Sequence, residues 1–493
     1  MLVHPNPLVQ YLQKPASEFT KEDLIRYIEE RQIEMVNFRY TAEDGKLKTI
    51  NFMITSVEEL DMILTSGERV DGSSIFSFLP TNNSDLYLVP RYKTAFINPF
   101  SEIPSIDILC SFYGPDGEPL ESSPVYILRK ARNQFNKSTG MTIKLMAELE
   151  YYVISDIDER TVIAENGYQS AEPYSAHETL RVEALKLIAK CGGKVRFGHA
   201  ETGNFIYNRK LYEQHEIEFS VGDPEDAADQ LAVAKWILRM LGLKYNVNVT
   251  FIPKIALNQP GSGLHIHFMV EHAGKNVLID QENLTTTSLK MIGGILDLAP
   301  ALCAFANPTP VSFLRLMSGQ ETPNQVCWGI QNRSTLIRVP LGWNRMESLS
   351  AHANQNAETV IDQTFRQTLE YRGADGSANP YLLVAALIMC ALSGLMNTES
   401  VKKADQLKTD ENLFSPELES DFSFLPTSCE QAAQQLEEQR KFFEADQVFP
   451  KPIIDHTIAK LRSFNDKELI NNFKTYGENQ EFVKLVESYL HFM

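Results

Sequence analysis

The side chains best suited to chemistry come in pairs on strand-like stretches. Within 143–153, Glu148 and Glu150 alternate with Leu145, Ala147, Leu149 and Tyr151, so in a strand both carboxylates face one way and the apolar residues the other. His265 and His267 repeat this opposite Leu264, Ile266 and Phe268, just after glycines at 261 and 263 that loosen the chain. Val195, Phe197, His199 and Glu201 share a third face, and beyond an irregular stretch Glu216 and Glu218 share a fourth, with Ile217 and Phe219 behind. Glu370 and Arg372 make a fifth pair. Arg333 and Arg338 lie five apart within 331–340, so a regular strand sends them to opposite faces; both can serve one site only across a bulge or bend.

Each stretch taken singly also reads as a half-exposed strand with solvated charges. A sheet that curls would gather these faces into one cavity, where crowded carboxylates repel and are costly to bury unpaired. Divalent cations resolve that conflict. Glu148, Glu150, Glu201, Glu216, Glu370 and His265 form an oxygen-rich set with one nitrogen, suited to Mg²⁺ or Mn²⁺ rather than to structural zinc. Arginines beside such ions describe a phosphoryl-transfer centre, where catalysis is positioning and charge neutralisation. The chain has no Walker loop and no kinase glycine pattern.

The elements that must position these residues follow from periodicity and caps. A helix is expected over 17–31, capped by Ser17 or Thr20, then a hairpin of 35–40 and 47–54 around Asp44-Gly45, and a strand at 106–112. Gly114-Pro115-Asp116-Gly117 marks a boundary near residue 115, giving a small, mostly β unit over 1–115 and a larger one over 116–493. Helices are expected at 125–139, at 179–190 before Gly192-Gly193, and from Asp223-Pro224-Glu225-Asp226 to Gly242. A helical segment runs through Leu302, and the apolar run 381–395 reads as a buried helix too short for a membrane span. The C-terminal stretches 429–445 and 453–493 look helical and polar, apart from an apolar end at 489–493.

At 493 residues, 43% of them hydrophobic, the chain fills a core over two or more domains. Six scattered cysteines with no CxxC pair suit reduced thiols in a cytoplasmic protein, and no signal-peptide pattern opens the chain. A net charge of −18 argues against nucleic acid or an anionic membrane as partners, yet local arginines can still receive an anionic substrate.

From Asp71-Gly72-Ser73-Ser74 through Asn379-Pro380-Tyr381, and more loosely beyond, the chain resembles glutamine synthetases of the bacterial dodecameric kind. Segments 260–267, 332–340 and 377–382 carry most of the likeness. The resemblance implies an α+β fold: an N-terminal β-grasp domain, then a catalytic domain whose curved antiparallel sheet forms a funnel flanked by helices. It implies glutamate, ammonium and ATP as substrates and two divalent cations as cofactors. Glu150, Glu201 and Glu216 match ligands of the metal nearest the acceptor, and Glu148, His265 and Glu370 those of the metal at the ATP phosphates. His267, Arg333 and Arg338 match ATP-binding or phosphoryl-stabilising positions; Gly261, Arg315 and Arg372 match glutamate-holding ones. Tyr168 matches a residue lining the ammonium pocket, and Glu321 a flap glutamate that closes over the intermediate. Asp71, assisted by Ser74, would deprotonate ammonium, and in the family both come from a neighbouring subunit, so a homo-oligomer of stacked rings completes the site.

Departures from the pattern bear on substrate choice. Pro260 stands where an asparagine that contacts glutamate is common, and Thr368 where an arginine near the phosphates is common. The connections 202–212 and 342–363 are lengthened, and Glu218 is a rival to Glu216. Phe414 stands in a loop that carries an adenylylatable tyrosine in some relatives, and without a hydroxyl it cannot take that modification. The apolar end at 489–493 would dock into another subunit. Two further readings stay open: a ligase joining glutamate to a larger amine, and a non-catalytic structural or nitrogen-sensing relative.

Overall fold

The computed structural model describes residues 4–492 except 158–165, 282, 318–321, 343–348, 356–363, 416 and 418–419. Thr20 opens the helix Lys21–Arg31 with a reciprocal capping box to Asp23, and Leu24 and Ile28 turn inward. The helix lies beside a sheet ordered Leu47–Met53, Met35–Thr41, Ser105–Tyr113, Asp85–Pro90, Glu68–Asp71, with Phe96–Ile97 also on Ser105–Tyr113. Met35–Thr41 and Ser105–Tyr113 run parallel, while the expected hairpin pairs Met35 with Met53 and Thr41 with Leu47. Two helices that the periodicity did not single out, Pro7–Leu12 and Val57–Ser66, complete this unit.

A larger sheet follows, ordered Trp328–Ile330, Ile337–Val339, Leu369–Tyr371, Leu264–His272, Thr142–Asp156, Lys210–Phe219, Val195–Tyr207. All neighbours on this path are antiparallel except Trp328–Ile330 with Ile337–Val339. Leu145, Ala147, Leu149, Ile217, Leu264 and Ile266 form its buried apolar face. Helices Pro124–Thr139, Glu178–Lys190 and Pro224–Lys244 pack against the sheet, and Pro380–Met396 and Thr286–Ala306 form the layer outside them. Those outer helices cross at glycines: a Cβ added to Gly294 would sit 2.3 Å from the Gly394 Cα. Thr286–Ala306 is long and apolar enough to span a bilayer, but 78% of its most apolar window is buried by protein, as a core helix must be.

Two readings need correction. The irregular stretch after Glu201 is a hairpin: Val195–Tyr207 turns at Asn208 and Arg209, both left-handed, and returns as Lys210–Phe219. The helix from Asp223 passes Gly242 and ends at Lys244. The apolar C-terminal end, as far as Phe492, packs partly on its own chain, which leaves its expected docking into another subunit a proposal. Tyr489 packs on Phe464 and Phe492, and the Leu490 carbonyl accepts a hydrogen bond from Thr250 at 2.6 Å.

One buried carboxylate, Asp229 on the helix Pro224–Lys244, links the N-terminal unit to the helices of the larger one. Arg91 donates to both oxygens of Asp229 at 2.8 and 2.7 Å, and the Tyr381 hydroxyl donates to the same group at 2.8 Å. Asp229→Ala would strand the Arg91 guanidinium in a setting where both side chains are about one-tenth exposed. We expect a loss of about 3–5 kcal/mol in chemical denaturation. A loss below about 1 kcal/mol would mean that solvent replaces the carboxylate.

Candidate active site

Strand register brings the paired residues together in rows. His265 lies opposite Glu148, Glu148 opposite Glu218, and Glu218 opposite Phe197. One row along, Glu150 faces Glu216, which faces His199. On the other side, His267 faces Glu370, which faces Arg338. The bend required between the arginines is present: the chain leaves Trp328–Ile330, turns at Gln331 with φ 55°, and re-enters the sheet at Ile337–Val339. Arg333 sits in that turn and Arg338 in the strand, and both line one cavity of about 640 Å³ with Glu148, Glu150, Glu201, Glu216, His265, Arg315 and Arg372.

Each carboxylate is held differently. Glu148 bridges both imidazoles, with one oxygen 2.9 Å from His265 Nδ1 and the other 3.0 Å from His267 Nε2. Burial favours its neutral form, but the two histidines overcome this and hold it well below the usual carboxylate range. His267 rises above its ordinary value although burial opposes this, because Glu148 faces it. Glu370, fully buried, accepts from Arg372 at 2.5 Å and Arg338 at 2.8 Å. Burial again opposes ionisation, and Arg372 with His267 holds its pKa at about 2. Glu150 accepts from the Gly263 amide at 2.7 Å and from Gln214 Nε2 at 3.0 Å. Gly263 must lack a side chain here, since a Cβ would come within 2.7 Å of Arg315 and 2.8 Å of His265 Nε2.

Glu216 is the exception. Burial, then the charges of Glu148, Glu150, Glu201 and Glu218, push its carboxyl well above the ordinary range. Glu218, the rival candidate, accepts from Arg196 at 2.6 Å. Among the described residues, three sets place their ligand atoms within 4.8 Å of one another: Glu148, His265 and Glu370; Glu150, Glu216 and His265; and His199, Glu201 and Glu216. This donor set, rich in oxygen and short of positive charge at Glu216, fits divalent cations. Glu201 is grouped with His199 because a bulge between Ala200 and Asn204 carries it out of regular pairing.

The remaining candidates are placed as follows. Arg315 is buried and donates to the Gly373 and Ala374 carbonyls at 3.2 and 3.1 Å. The Gly261 carbonyl accepts from Gln214 at 3.0 Å. Tyr168 stands half-exposed at the mouth, its ring 5.2 Å from that of His199. Phe414 lines the same mouth, its loop held by Asn332 and Ser334. Asp71 and Ser74 are exposed in the N-terminal unit and are not gathered into their own chain's cavity. Ser73, Ser74 and Ser84 all donate to Asp71, at 2.7, 2.7 and 2.9 Å. Glu321 and most of the 342–363 extension lie outside the described residues.

Two residues of the site were not among the candidates. Gln214 ties Glu150 to the Gly261 carbonyl and accepts from the Gly203 amide at 3.1 Å. It stands two residues before Glu216, which was the available signal. The second, His199, shared the face of Glu201 in the sequence but had no partner until the register was known.

A curled sheet that collects carboxylates and imidazoles for cations beside guanidiniums for anions defines a metal-assisted group-transfer class of enzyme. Residues 121–479 match the model for the glutamine synthetase catalytic domain, and residues 32–115 that for the glutamine synthetase beta-Grasp domain. The chain belongs to the glutamine synthetase family. It is 28% identical to the glutamine synthetase of Aquifex aeolicus over 481 residues, covering 91% of this chain and 96% of that one. With the Thermotoga maritima glutamine synthetase it shares 28% over 478 residues, covering 94% and 98%. The fold matches the cryoEM structure of Plasmodium falciparum glutamine synthetase with a TM-score of 0.75 at 21% identity, covering 95% and 99%. It also matches apo GmaS at 0.70 and 18%, covering 94% and 98%.

The raised Glu216 carboxyl has a consequence for stability. Its folded pKa exceeds the ordinary 4.5, so metal-free protein keeps the stability of this group below about pH 4.5 and loses it as pH rises toward the folded value. Glu216→Gln should therefore flatten the fall in melting temperature between pH 5 and 8 in chelator and raise melting at neutral pH. In wild type, Mn²⁺ at about 100 times its Kd should restore about 2.7 kcal/mol, and markedly less in the variant. Parallel melting curves for both proteins across this pH range would defeat the account.

Proposed function

We propose that the protein joins ammonium to the side-chain carboxylate of glutamate at the expense of ATP, giving glutamine, ADP and phosphate through a γ-glutamyl phosphate. The supporting observation is the single cavity lined by every member of the three carboxylate–imidazole sets except the fully buried Glu370, together with four guanidiniums, Arg315, Arg333, Arg338 and Arg372. Carboxylates are poor electrophiles, and phosphorylation gives the carbon a leaving group that ammonia can displace. Two divalent cations, Mg²⁺ or Mn²⁺, held by Glu148, His265 and Glu370 and by Glu150, Glu201 and Glu216, would supply charge neutralisation between the anionic reactants.

The chain's own groups do the remainder. Arg333 is exposed to the cavity with no ion pair among the described residues, so its guanidinium can meet a transferring phosphoryl group. His267 keeps a proton beside Glu148 and presents a second positive charge. Arg372 and Arg338 pin Glu370, and Arg315 with the Gly261 backbone borders the glutamate end. Asp71 is held as an exposed carboxylate by hydroxyls that lower its pKa, so it would attract ammonium in a neighbouring subunit's cavity and take its proton only once the cation is desolvated there. Glu321 would close over the intermediate. Stacked homo-oligomeric rings and a cytoplasmic location go with this reading. A cavity of about 640 Å³ also leaves room for a larger amine, which is the second reading.

Two experiments bear on it. Phosphate release should require ATP, Mg²⁺ or Mn²⁺, glutamate and ammonium together; faster release with a larger amine would favour the second reading, and none with any acceptor would leave only a non-catalytic role. The shared site predicts complementation. Asp71→Asn and Glu216→Gln should each lose most activity, yet a 1:1 refolded mixture should recover about one quarter of wild type, the chance that an intact cavity meets an intact Asp71. No recovery in correctly assembled mixtures would place Asp71 within its own chain's chemistry.

A further inference from the structure

The acceptor end holds an imidazole that the implied ligand sets do not use. His199 lies on Val195–Tyr207 directly opposite Glu216, with its side chain only 12% exposed. Its ring is fixed on two sides. Phe197 stacks against it with centroids 6.0 Å apart and planes at 29°, and Tyr168 meets it edge-on at 5.2 Å.

The orientation of the two ring nitrogens is informative. Nδ1 lies 3.0 Å from the Ala200 carbonyl oxygen, which can only accept, so Nδ1 carries the hydrogen. Nε2 then faces Glu216 Oε1 at 3.2 Å, a lone pair against a carboxylate oxygen. That pairing needs either a proton between the two, on the carboxyl or on the ring, or a metal ion. Glu201 Oε1 lies 3.7 Å away on the Nδ1 side. A ring hydrogen given to a backbone carbonyl, with the other nitrogen turned to a carboxylate, is the arrangement that orients metal-bound histidines.

Two further observations favour a metal over a proton. Glu216 has Glu148, Glu150, Glu201 and Glu218 in its electrostatic surroundings, more negative charge than one imidazolium can offset. Glu150, the other implied ligand on this side, already has one oxygen engaged twice, by the Gly263 amide and by Gln214. His199, Glu201 and Glu216 are meanwhile one of the three sets whose ligand atoms lie within 4.8 Å.

We propose that His199 Nε2 is a ligand of the acceptor-side cation, joining Glu150, Glu201 and Glu216, making this a mixed nitrogen and oxygen site that favours Mn²⁺ over Mg²⁺. The inference rests on the proposed function only in taking the acceptor end to hold a divalent ion. Each cation would then have one imidazole, His265 on the phosphate side and His199 on the acceptor side. A nitrogen donor disfavours Mg²⁺, which binds oxygen almost exclusively.

Mn²⁺ binding to the full-length protein, followed by electron paramagnetic resonance with spin-echo detection of coupled nitrogen, tests this. Wild type should bind two Mn²⁺ ions, each with an imidazole nitrogen. His199→Gln should weaken one site at least about tenfold and remove its nitrogen signal while leaving the other intact. His199→Asp, which returns an oxygen ligand, should recover binding but narrow the preference for Mn²⁺ over Mg²⁺. Metal-free melting temperatures identify any variant that fails to fold, and the aspartate variant then carries the comparison. Two sites of unchanged affinity and two nitrogen signals in His199→Gln would overturn the proposal and leave His199 as a hydrogen-bond partner of Glu216. Wild type that binds no Mn²⁺ would overturn both this proposal and the ligase reading.

Discussion

Mutual repulsion among buried carboxylates is the constraint on which the rest of the structure depends. Glu150, Glu216, Glu218 and Glu370 are all under one-tenth exposed, and Glu148 joins them on the same concave face. Taking a carboxylate out of water costs several kcal/mol even after relaxation, so such a face exists only where a larger apolar structure enforces it. That structure is the reverse of the same strands. Leu145, Ala147, Leu149, Ile217, Leu264 and Ile266 belong to one continuous core that also takes in Thr286–Ala306 and Pro380–Met396. Strict alternation makes the two faces inseparable: slipping any of these strands by one residue would place its acids in the core.

The repulsion is compensated unevenly. At the His267 side the acids are held by nitrogen groups: Glu148 between two imidazoles, Glu370 between two guanidiniums, Glu218 on Arg196. These groups are set before any ligand arrives, which is the pre-organisation that phosphoryl chemistry exploits. Toward Glu216 the partners are neutral donors: Gln214 and a backbone amide on Glu150, and the Thr202 amide on Glu201 at 3.0 Å. Hydrogen bonds orient those oxygens without cancelling their charge. The guanidinium charge is therefore concentrated toward Glu370, and the least compensated carboxylates lie toward Glu216.

The sequence disclosed this division only in part. Alternation is a local property, so the faces of Glu148, Glu150, His265 and His267 were legible from 143–153 and 260–270 alone. The helix at Asp223 was legible too, because cap, proline and acids all lie within its first turn. Register is not local. That His199 meets Glu216, and that Gln214 reaches both Glu150 and Gly261, depends on which residues of distant strands pair. The bulge that moves Glu201 was hidden for the same reason, as was the cover that Phe464 and Thr250 give the C-terminal end. Asp71 illustrates another limit. Its hydroxyl partners lie within thirteen residues, but its place in any site depends on a surface outside its own chain. The helix Val57–Ser66 was a different failure, since its signals are local: Ser56 caps Glu59, with acids in the first turn.

The departures from the family pattern can be weighed on the same terms. Pro260 supplies no side-chain donor, but its carbonyl accepts from the Tyr152 hydroxyl at 2.9 Å, so the backbone before Gly261 is held without an asparagine. Thr368 places no guanidinium at the phosphate end. Its hydroxyl lies 2.9 Å from His267 Nδ1 while Glu148 takes Nε2, so the imidazole can carry hydrogens on both nitrogens and remain charged between them. The positive charge favoured at this place is that of His267, and it depends on Glu148. Glu148 belongs to a set that could hold a cation and is also the counter-charge of His267, so anything that neutralises it weakens the hold on the imidazole proton as well.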